Sequence, residues 1–357
     1  MKTLNLGAMR QAMEGLRLDG FGAGNAQSLV ERTLAQHGLS MPAQAAGGAR
    51  PFPAAGAQPG GGTIPQGASF TTDRFTCPAG SREMMVYVPA SVAAGQGAEG
   101  LVLMLHGCTQ THADFARGTG MNDLAERHRL IVVYPQQARG DNAQSCWNWF
   151  SIGDQRRGRG EPEILAQMAQ AQAALHRVPS DRIFAAGLSA GAAMAVILGQ
   201  THPEVFAAIG AHSGLPFGAA RDVPGAFAAM NGTGMADSAR PRAATATPTI
   251  IFHGSADRTV HPQNAASIAA DTLAAGPDQT IADQATATTG GRSHRRDITS
   301  TLDGQVIVDH WTVEGLGHAW SGGRAGGSYT DPKGPDASAE MVRFFLAQPR
   351  GGSGKAA

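Results

Sequence analysis

Gly187-Leu188-Ser189-Ala190-Gly191 stands between an apolar run, Arg182-Ile183-Phe184-Ala185-Ala186, and a stretch of small and aliphatic residues from Ala190 to Gln200. The run reads as a short buried strand and the stretch as a helix. A serine between them, with glycine two positions before and two after, sits on a turn so sharp that neither flanking position has room for a side chain. The turn lifts the serine hydroxyl clear of the sheet. It also aims the N-terminus of the next helix, with its unpaired N–H groups, at the space in front of that hydroxyl. In a chain with 48 glycines the spacing alone says little. The strand before it and the helix after it give it weight.

Working outward, the same texture recurs. Met84-Met85-Val86-Tyr87-Val88 reads as a strand ending at Pro89, and Leu101-Val102-Leu103-Met104-Leu105 as one buried on both faces. A helix over roughly 112–128 leads to the strand Leu130-Ile131-Val132-Val133-Tyr134, and another near 161–176 precedes the turn. Val205-Phe206-Ala207-Ala208-Ile209, Thr249-Ile250-Ile251-Phe252 and the segment Gln305 to Val313 follow as strands, with a closing helix from Ala337 to Leu346. Strands alternating with helices at this pace predict an α/β fold: a mostly parallel, doubly wound sheet with helices on both faces. With the serine turn, that is the α/β-hydrolase pattern. Before this region, residues 9–37 read as two short helices around a glycine break and 41–68 as a Pro/Gly/Ala linker. The expected organisation is an N-terminal segment over 1–68, a catalytic domain over 69–349 and a flexible tail over 350–357. Residues 214–245, rich in Gly, Ala and Met, interrupt two sheet strands and are expected to form a lid.

Composition excludes several classes. The 357 residues carry 28 basic and 28 acidic side chains, so no basic stripe is available for nucleic acid. No apolar run has the length of a membrane span. Arg10 interrupts the N-terminus before a signal-peptide core of useful length, which predicts a cytoplasmic protein; an extracellular one requires a leader beyond this sequence. Three cysteines, Cys77, Cys108 and Cys146, lack metal-ligand spacing and leave room for one bridge and one spare thiol. No metal or organic cofactor is expected, and nothing indicates an oligomeric state.

A serine hydroxyl is a poor nucleophile near neutral pH and needs a base, which in turn needs an orienting group. In this fold the chain order is serine, acid, histidine. The strand Thr249 to Phe252 runs into His253-Gly254-Ser255-Ala256-Asp257, a small-residue turn presenting one carboxylate. Glu314-Gly315-Leu316-Gly317-His318-Ala319-Trp320 places a histidine on a late glycine-flanked loop. Ser189, Asp257 and His318 are therefore the expected triad. An oxyanion needs two N–H donors: Ala190 supplies one, and Leu105-His106-Gly107-Cys108-Thr109-Gln110, after an early central strand, points to the Cys108 amide for the other. The competing reading packs His106 and Cys108 inertly under the sheet edge.

With these residues in hand, the sequence resembles the polyhydroxybutyrate depolymerase family of esterases, relatives of the feruloyl and acetylxylan esterases. The resemblance runs from about residue 70 to 347. It rests on His106-Gly107-Cys108-Thr109-Gln110, Cys146-Trp147-Asn148-Trp149-Phe150, Gly187 to Gly191, His253 to Asp257, and Gly317-His318-Ala319-Trp320-Ser321-Gly322-Gly323, in that order. It implies Ser189 as nucleophile, His318 as base, Asp257 as its orienter and Cys108 at the oxyanion hole. It also implies a Cys108–Cys146 bridge, which sits uneasily with a reducing cytoplasm. Trp147, Trp149 and Trp320 are expected to wall the substrate cleft or else to pack in the core. Since the family counterpart of 214–245 lies near the active site, Leu215, Phe217 and Met230 are candidates for acyl contacts. The expected activity is hydrolysis of carboxylic esters through an acyl-enzyme, on short hydroxyacyl esters or polyhydroxyalkanoate-type substrates. The alternatives are a feruloyl or acetylxylan type of carbohydrate esterase, a peptidase or thioesterase using the same machinery, and a non-catalytic binding scaffold.

Overall fold

The computed structural model describes residues 64–234, 240–241 and 245–350. The helices expected within 9–37, nearly all of the linker, the tail from 351 and parts of the expected lid lie outside the described residues. Among the described residues ten strands form one sheet: β1 (Ser69–Cys77), β2 (Gly80–Val88), β3 (Gly100–Leu105), β4 (Leu130–Gln136), β5 (Ile183–Leu188), β6 (Ala208–His212), β7 (Thr249–Gly254), β8 (Thr280–Thr289), β9 (Arg292–Thr301) and β10 (Val306–Val313). Their order is β1-β2-β4-β3-β5-β6-β7-β10-β9-β8. From β4 across to β10 every pairing is parallel, and the outer strands on both sides pair antiparallel. β11 (Trp320–Ser321) and β12 (Thr330–Asp331) form a separate two-residue ladder.

Alternation within the central strands explains the two-sided burial. Leu101, Leu103 and Leu105 of β3 join one core with Ile131 and Val133 of β4; Val102 and Met104 join the other with Leu130, Val132 and Tyr134. Each face is then covered by helices. In chain order these are α1 (Ala90–Ala93), α2 (His112–Thr119), α3 (Met121–His128), α4 (Gly160–Leu175), α5 (Ala190–Thr201), α6 (Val223–Met230), α7 (Gln263–Ala274) and α8 (Ala337–Ala347). α4, α5 and α7 bury Leu165, Val196 and Ile268 in the first core; α2, α3 and α8 bury Phe115, Leu124 and Phe345 in the second.

Three elements differ from the expectation. The helix expected over 112–128 is two, because Gly120 adopts φ +61° and closes α2 before α3 begins. The strand expected from Val205 begins at Ala208; Val205 and Phe206 belong to a turn whose N–H groups bond to His202 O at 2.9 and 3.2 Å. The hairpin of β8 and β9 carries no apolar alternation, and all ten residues of β8 are exposed. It is tied to the core through β9 instead. Asp309 of β10, fully buried, accepts from Arg296 of β9 at 2.7 Å through both oxygens and from Arg343 of α8 at 2.8 Å. A buried carboxylate of this kind survives only when paired. Among the described residues no helix is long and apolar enough to cross a membrane.

Candidate active site

Chemistry in a parallel sheet gathers where the strands end, because the loops leaving their carboxyl ends converge there. β5 ends at Leu188, α5 begins at Ala190, and Ser189 between them is held at φ +57°, ψ −120°. A non-glycine residue keeps such a conformation only where its surroundings enforce it. Here they do. A Cβ on Gly187 would lie 2.4 Å from Gly191 C and 2.7 Å from Leu105 O, and one on Gly191 would lie 2.1 Å from Leu105 O. The flanking glycines are therefore required for space between β3, β5 and α5. Ser189 N–H is bonded to His212 O of β6 at 2.9 Å.

The acid turn follows β7. Asp257, 4 % exposed, accepts the N–H groups of Thr259 and Val260 through Oδ1, both at 2.9 Å, and the His318 Nδ1–H through Oδ2 at 2.8 Å. Burial alone would raise its pKa. The His318 charge and hydrogen bond, His253 and the Val260 N–H outweigh that and hold the carboxyl well below the usual range. An ionised Asp257 accepts only, so His318 carries its hydrogen on Nδ1 and leaves Nε2 free to take a proton. The acid and histidine loops are stitched together: Ser255 N–H bonds Val313 O at 3.0 Å, and Ala256 N–H bonds Leu316 O at 3.1 Å.

Two histidines that no motif singles out for support hold this frame. His212, fully buried, accepts the Ser321 N–H at Nε2 (3.0 Å) and lies stacked on Trp320 with centroids 5.0 Å apart. Burial pushes its pKa down to about 3, keeping it neutral and able to accept. His253, buried beside Asp257, donates from Nε2 to Val260 O at 2.8 Å.

The loop after β3 is similarly fastened. Gly107 N–H is taken by Gln110 Oε1 at 2.9 Å, and Thr109 N–H by Gln144 O at 2.8 Å. Between them the Cys108 N–H has no acceptor among the described residues, and neither has that of Ala190 at the first position of α5. His106, fully buried, accepts from Gln137 N–H at 3.1 Å and from Gln136 Nε2 at 3.2 Å, both through Nε2; burial lowers its pKa to about 4. Cys108 and Cys146 form a disulfide, and Cys77 is unpaired.

The loop carrying Cys146 has its own anchor, also absent from the sequence reading. Glu161, 3 % exposed at the start of α4, accepts from Asn148 N–H and Asn148 Nδ2 (both 2.8 Å), from Gln137 Nε2 and from Arg82 (3.3 Å). Burial and the neighbouring Asp154 push its carboxyl up to about 7. One buried carboxylate thus orders the loop that backs the Cys108 turn.

The tryptophans do not wall a cleft. Trp147 is fully buried and donates from Nε1 to His106 O at 3.1 Å, Trp320 is 1 % exposed and donates to Ser338 Oγ at 3.0 Å, and Trp149 is buried with its edge on Phe150. An indole whose N–H meets an interior acceptor gains most from full burial, which the sequence does not reveal. Leu215 is buried in the α5-side core and Met230 packs partly against it; Phe217, half-buried there, keeps free surface. Tyr329, unremarked in the sequence, reaches the site instead: its ring meets His318 edge-on at 6.5 Å and its hydroxyl lies 3.2 Å from Thr109 Oγ1.

Residues 83–294 match the model of the esterase PHB depolymerase family, and the chain belongs to that family. The matched stretch contains Ser189 and Asp257 and stops short of His318. The chain is 35 % identical over 252 residues to poly(3-hydroxyalkanoate) depolymerase C of Paucimonas lemoignei, covering 67 % of this chain and 58 % of that one. It is 29 % identical over 198 residues to acetylxylan esterase A of Aspergillus oryzae, covering 51 % and 62 % respectively. It therefore spans less than two thirds of the length of these curated relatives. Among solved structures, an acetyl xylan esterase from Aspergillus awamori superposes with a TM-score of 0.56 at 22 % identity, covering 78 % of this chain and 98 % of that one. The fold is the α/β-hydrolase fold.

Proposed function

We propose that this chain hydrolyses carboxylic esters through an acyl-enzyme, with Ser189 as nucleophile, His318 as base and Asp257 orienting it. The observation that carries the reading is the Asp257–His318 pair, which leaves Nε2 of His318 as the proton acceptor; the nucleophile it would serve is the serine held on a strained turn. Ser189 Oγ attacks the ester carbonyl while His318 takes its proton. The unpartnered N–H groups of Cys108 and Ala190 stabilise the oxyanion. His318 then protonates the leaving alcohol oxygen, the alcohol departs, and a water activated by His318 returns the acid and free Ser189. Membership of the family favours short hydroxyacyl esters or polyhydroxyalkanoate oligomers as substrates. The likeness to acetylxylan esterase A supports acetylated polysaccharide as the second reading.

The test is turnover of para-nitrophenyl esters from acetate to octanoate by the wild type and Ser189→Ala. Activity that peaks at short chains and disappears in the variant supports the assignment. Hydroxybutyrate oligomers, acetylated xylan and methyl ferulate, assayed side by side, then separate the substrate readings. An inactive wild type, or a fully active variant, moves the binding-scaffold alternative to the front.

A further inference from the structure

Tyr329 is a half-buried residue held at φ +50°, and its hydroxyl contacts Thr109, itself held at φ +65°. Bulky and β-branched residues avoid this region unless neighbours enforce it. Neighbours do so on both sides. Tyr329 O accepts the Trp320 N–H at 2.7 Å, next to the β11–β12 ladder, and Ser328 before it is bonded through its carbonyl and hydroxyl to Gln110 Nε2, each at 3.1 Å. Gln110 is the residue whose Oε1 occupies the Gly107 N–H. Tyr329 thus bridges two parts of the site: its hydroxyl meets Thr109, adjacent to the free Cys108 N–H, and its ring packs near-perpendicular to the His318 ring, with centroids 6.5 Å apart at 78°.

We propose that Tyr329 is a substrate-contacting residue that selects the alcohol portion of the ester. The inference rests on the triad reading above. The protonated base delivers its proton to the departing alcohol oxygen, so a side chain packed against the His318 ring borders the path of that alcohol. The Tyr329–Thr109 hydroxyl pair shares one hydrogen bond, which leaves the phenol a further bonding position toward a ligand. A ring with one polar tip suits an alcohol portion that is apolar near the ester oxygen and carries an acceptor a few bonds further on. The next unit of a hydroxyacyl oligomer, with its own ester carbonyl, has that chemistry; ethanol does not.

The experiment compares two ester series in wild type, Tyr329→Phe and Tyr329→Ala. In one series the acyl group is butyryl and the alcohol is ethanol, para-nitrophenol or methyl 3-hydroxybutyrate. In the other the alcohol is para-nitrophenol and the acyl group runs from acetate to octanoate. Tyr329→Ala is expected to lose tenfold or more of the kcat/KM preference for methyl 3-hydroxybutyrate over ethanol, mostly in KM, with the acyl-chain profile retained. Tyr329→Phe, which keeps the ring and the fold, is expected to lose part of that preference and none of the acyl profile. Equal losses across both series reduce Tyr329 to a structural prop, and an unchanged preference in Tyr329→Phe overturns the hydroxyl's role. If Tyr329→Ala does not fold, the Tyr329→Phe result decides. Activity that survives Ser189→Ala sinks the triad reading instead, so the two failures are distinguishable.

Discussion

Gly191→Ala is the sharpest probe of how β3 and the serine turn are fitted together. The new Cβ would stand 2.1 Å from Leu105 O and 2.6 Å from His106 O, where real Cβ contacts do not fall below 3.0 Å. Leu105 O must therefore retreat by at least 0.9 Å. It has little freedom to do so, because Leu105 is fully buried and paired with Gly187 of β5. Overpacking of this sort costs about 1–3 kcal/mol of stability. The activity loss should be larger, because Leu105 and His106 lead directly into Gly107 and Cys108. A shift approaching 1 Å carries the Cys108 N–H away from the Ala190 N–H, and misplacement on that scale costs about 10²-fold in rate. Complete loss of one oxyanion donor costs about 10²–10³. Gly317→Ala is the control: it lies next to His318, yet its Cβ would meet nothing within 4 Å. Urea unfolding with kcat and KM on a short para-nitrophenyl ester reads both quantities. If Gly191→Ala retains kcat within about threefold of Gly317→Ala, the coupling of β3 to the oxyanion donors is wrong.

Further predictions concern the supports of the site. Asp257→Asn should lower kcat by about 10³–10⁴-fold, because the amide no longer fixes the His318 tautomer. Since the folded-state pKa of Asp257 is depressed, its stabilisation is present above about pH 4 and lost as pH falls through the lower folded value. The stabilities of wild type and Asp257→Asn, followed by urea titration, should therefore converge in acid; a constant gap refutes the charge argument. Trp147→Phe leaves His106 O without its indole donor in a buried setting and should cost about 1–3 kcal/mol in urea unfolding. A change under 0.5 kcal/mol would mean that water or a shifted donor replaces it. Reducing Cys108–Cys146 frees a loop of 38 residues, a loss of about 4 kcal/mol on the chain-entropy account. Thermal melting with and without dithiothreitol measures this, and an unchanged melting temperature would show that the hydrogen bonds from Thr109 N–H to Gln144 O and from Gln137 Nε2 to Cys146 O fix the loop unaided.

The parts of the fold legible in the sequence are those where one physical requirement acts alone. β3, β4 and β5 announce themselves because burial on two faces leaves only apolar residues, and the serine turn does so because two glycines are sterically forced. β8 stays hidden because a strand with no buried face need not alternate, and β9 because its half-buried residues are mostly polar and charged side chains, Arg296 among them held by an ion pair, rather than apolar ones. Gly120 splits the span 112–128 through a left-handed backbone conformation that its residue type alone does not announce. At the site, Ser189, Asp257 and His318 follow from strand ends and chain order. Glu161, His212 and Tyr329 could not be found that way, because their importance lies in contacts with residues far away in sequence. The tryptophans show the converse limit: an aromatic residue near a catalytic motif has the same signature whether it faces substrate or fills the core behind it.

The exposed outer hairpin has a mechanical consequence. β8 buries nothing of its own, yet its ladder backs β9, whose Arg296 is clamped to Asp309, the carboxylate that Arg343 also holds. At the tip, Gly290 O receives the Gly334 N–H at 3.3 Å, and Arg292 grips Asp331 and the Glu314 carbonyl. Those contacts fall just after Tyr329 and just before His318. The hairpin works as a cantilever, rooted in the sheet and bearing at its free end on the segment that leads into His318 and on the segment that follows Tyr329. Shortening it would leave Ser189, Asp257 and His318 in the chain and yet loosen the frame in which His318 and Tyr329 meet.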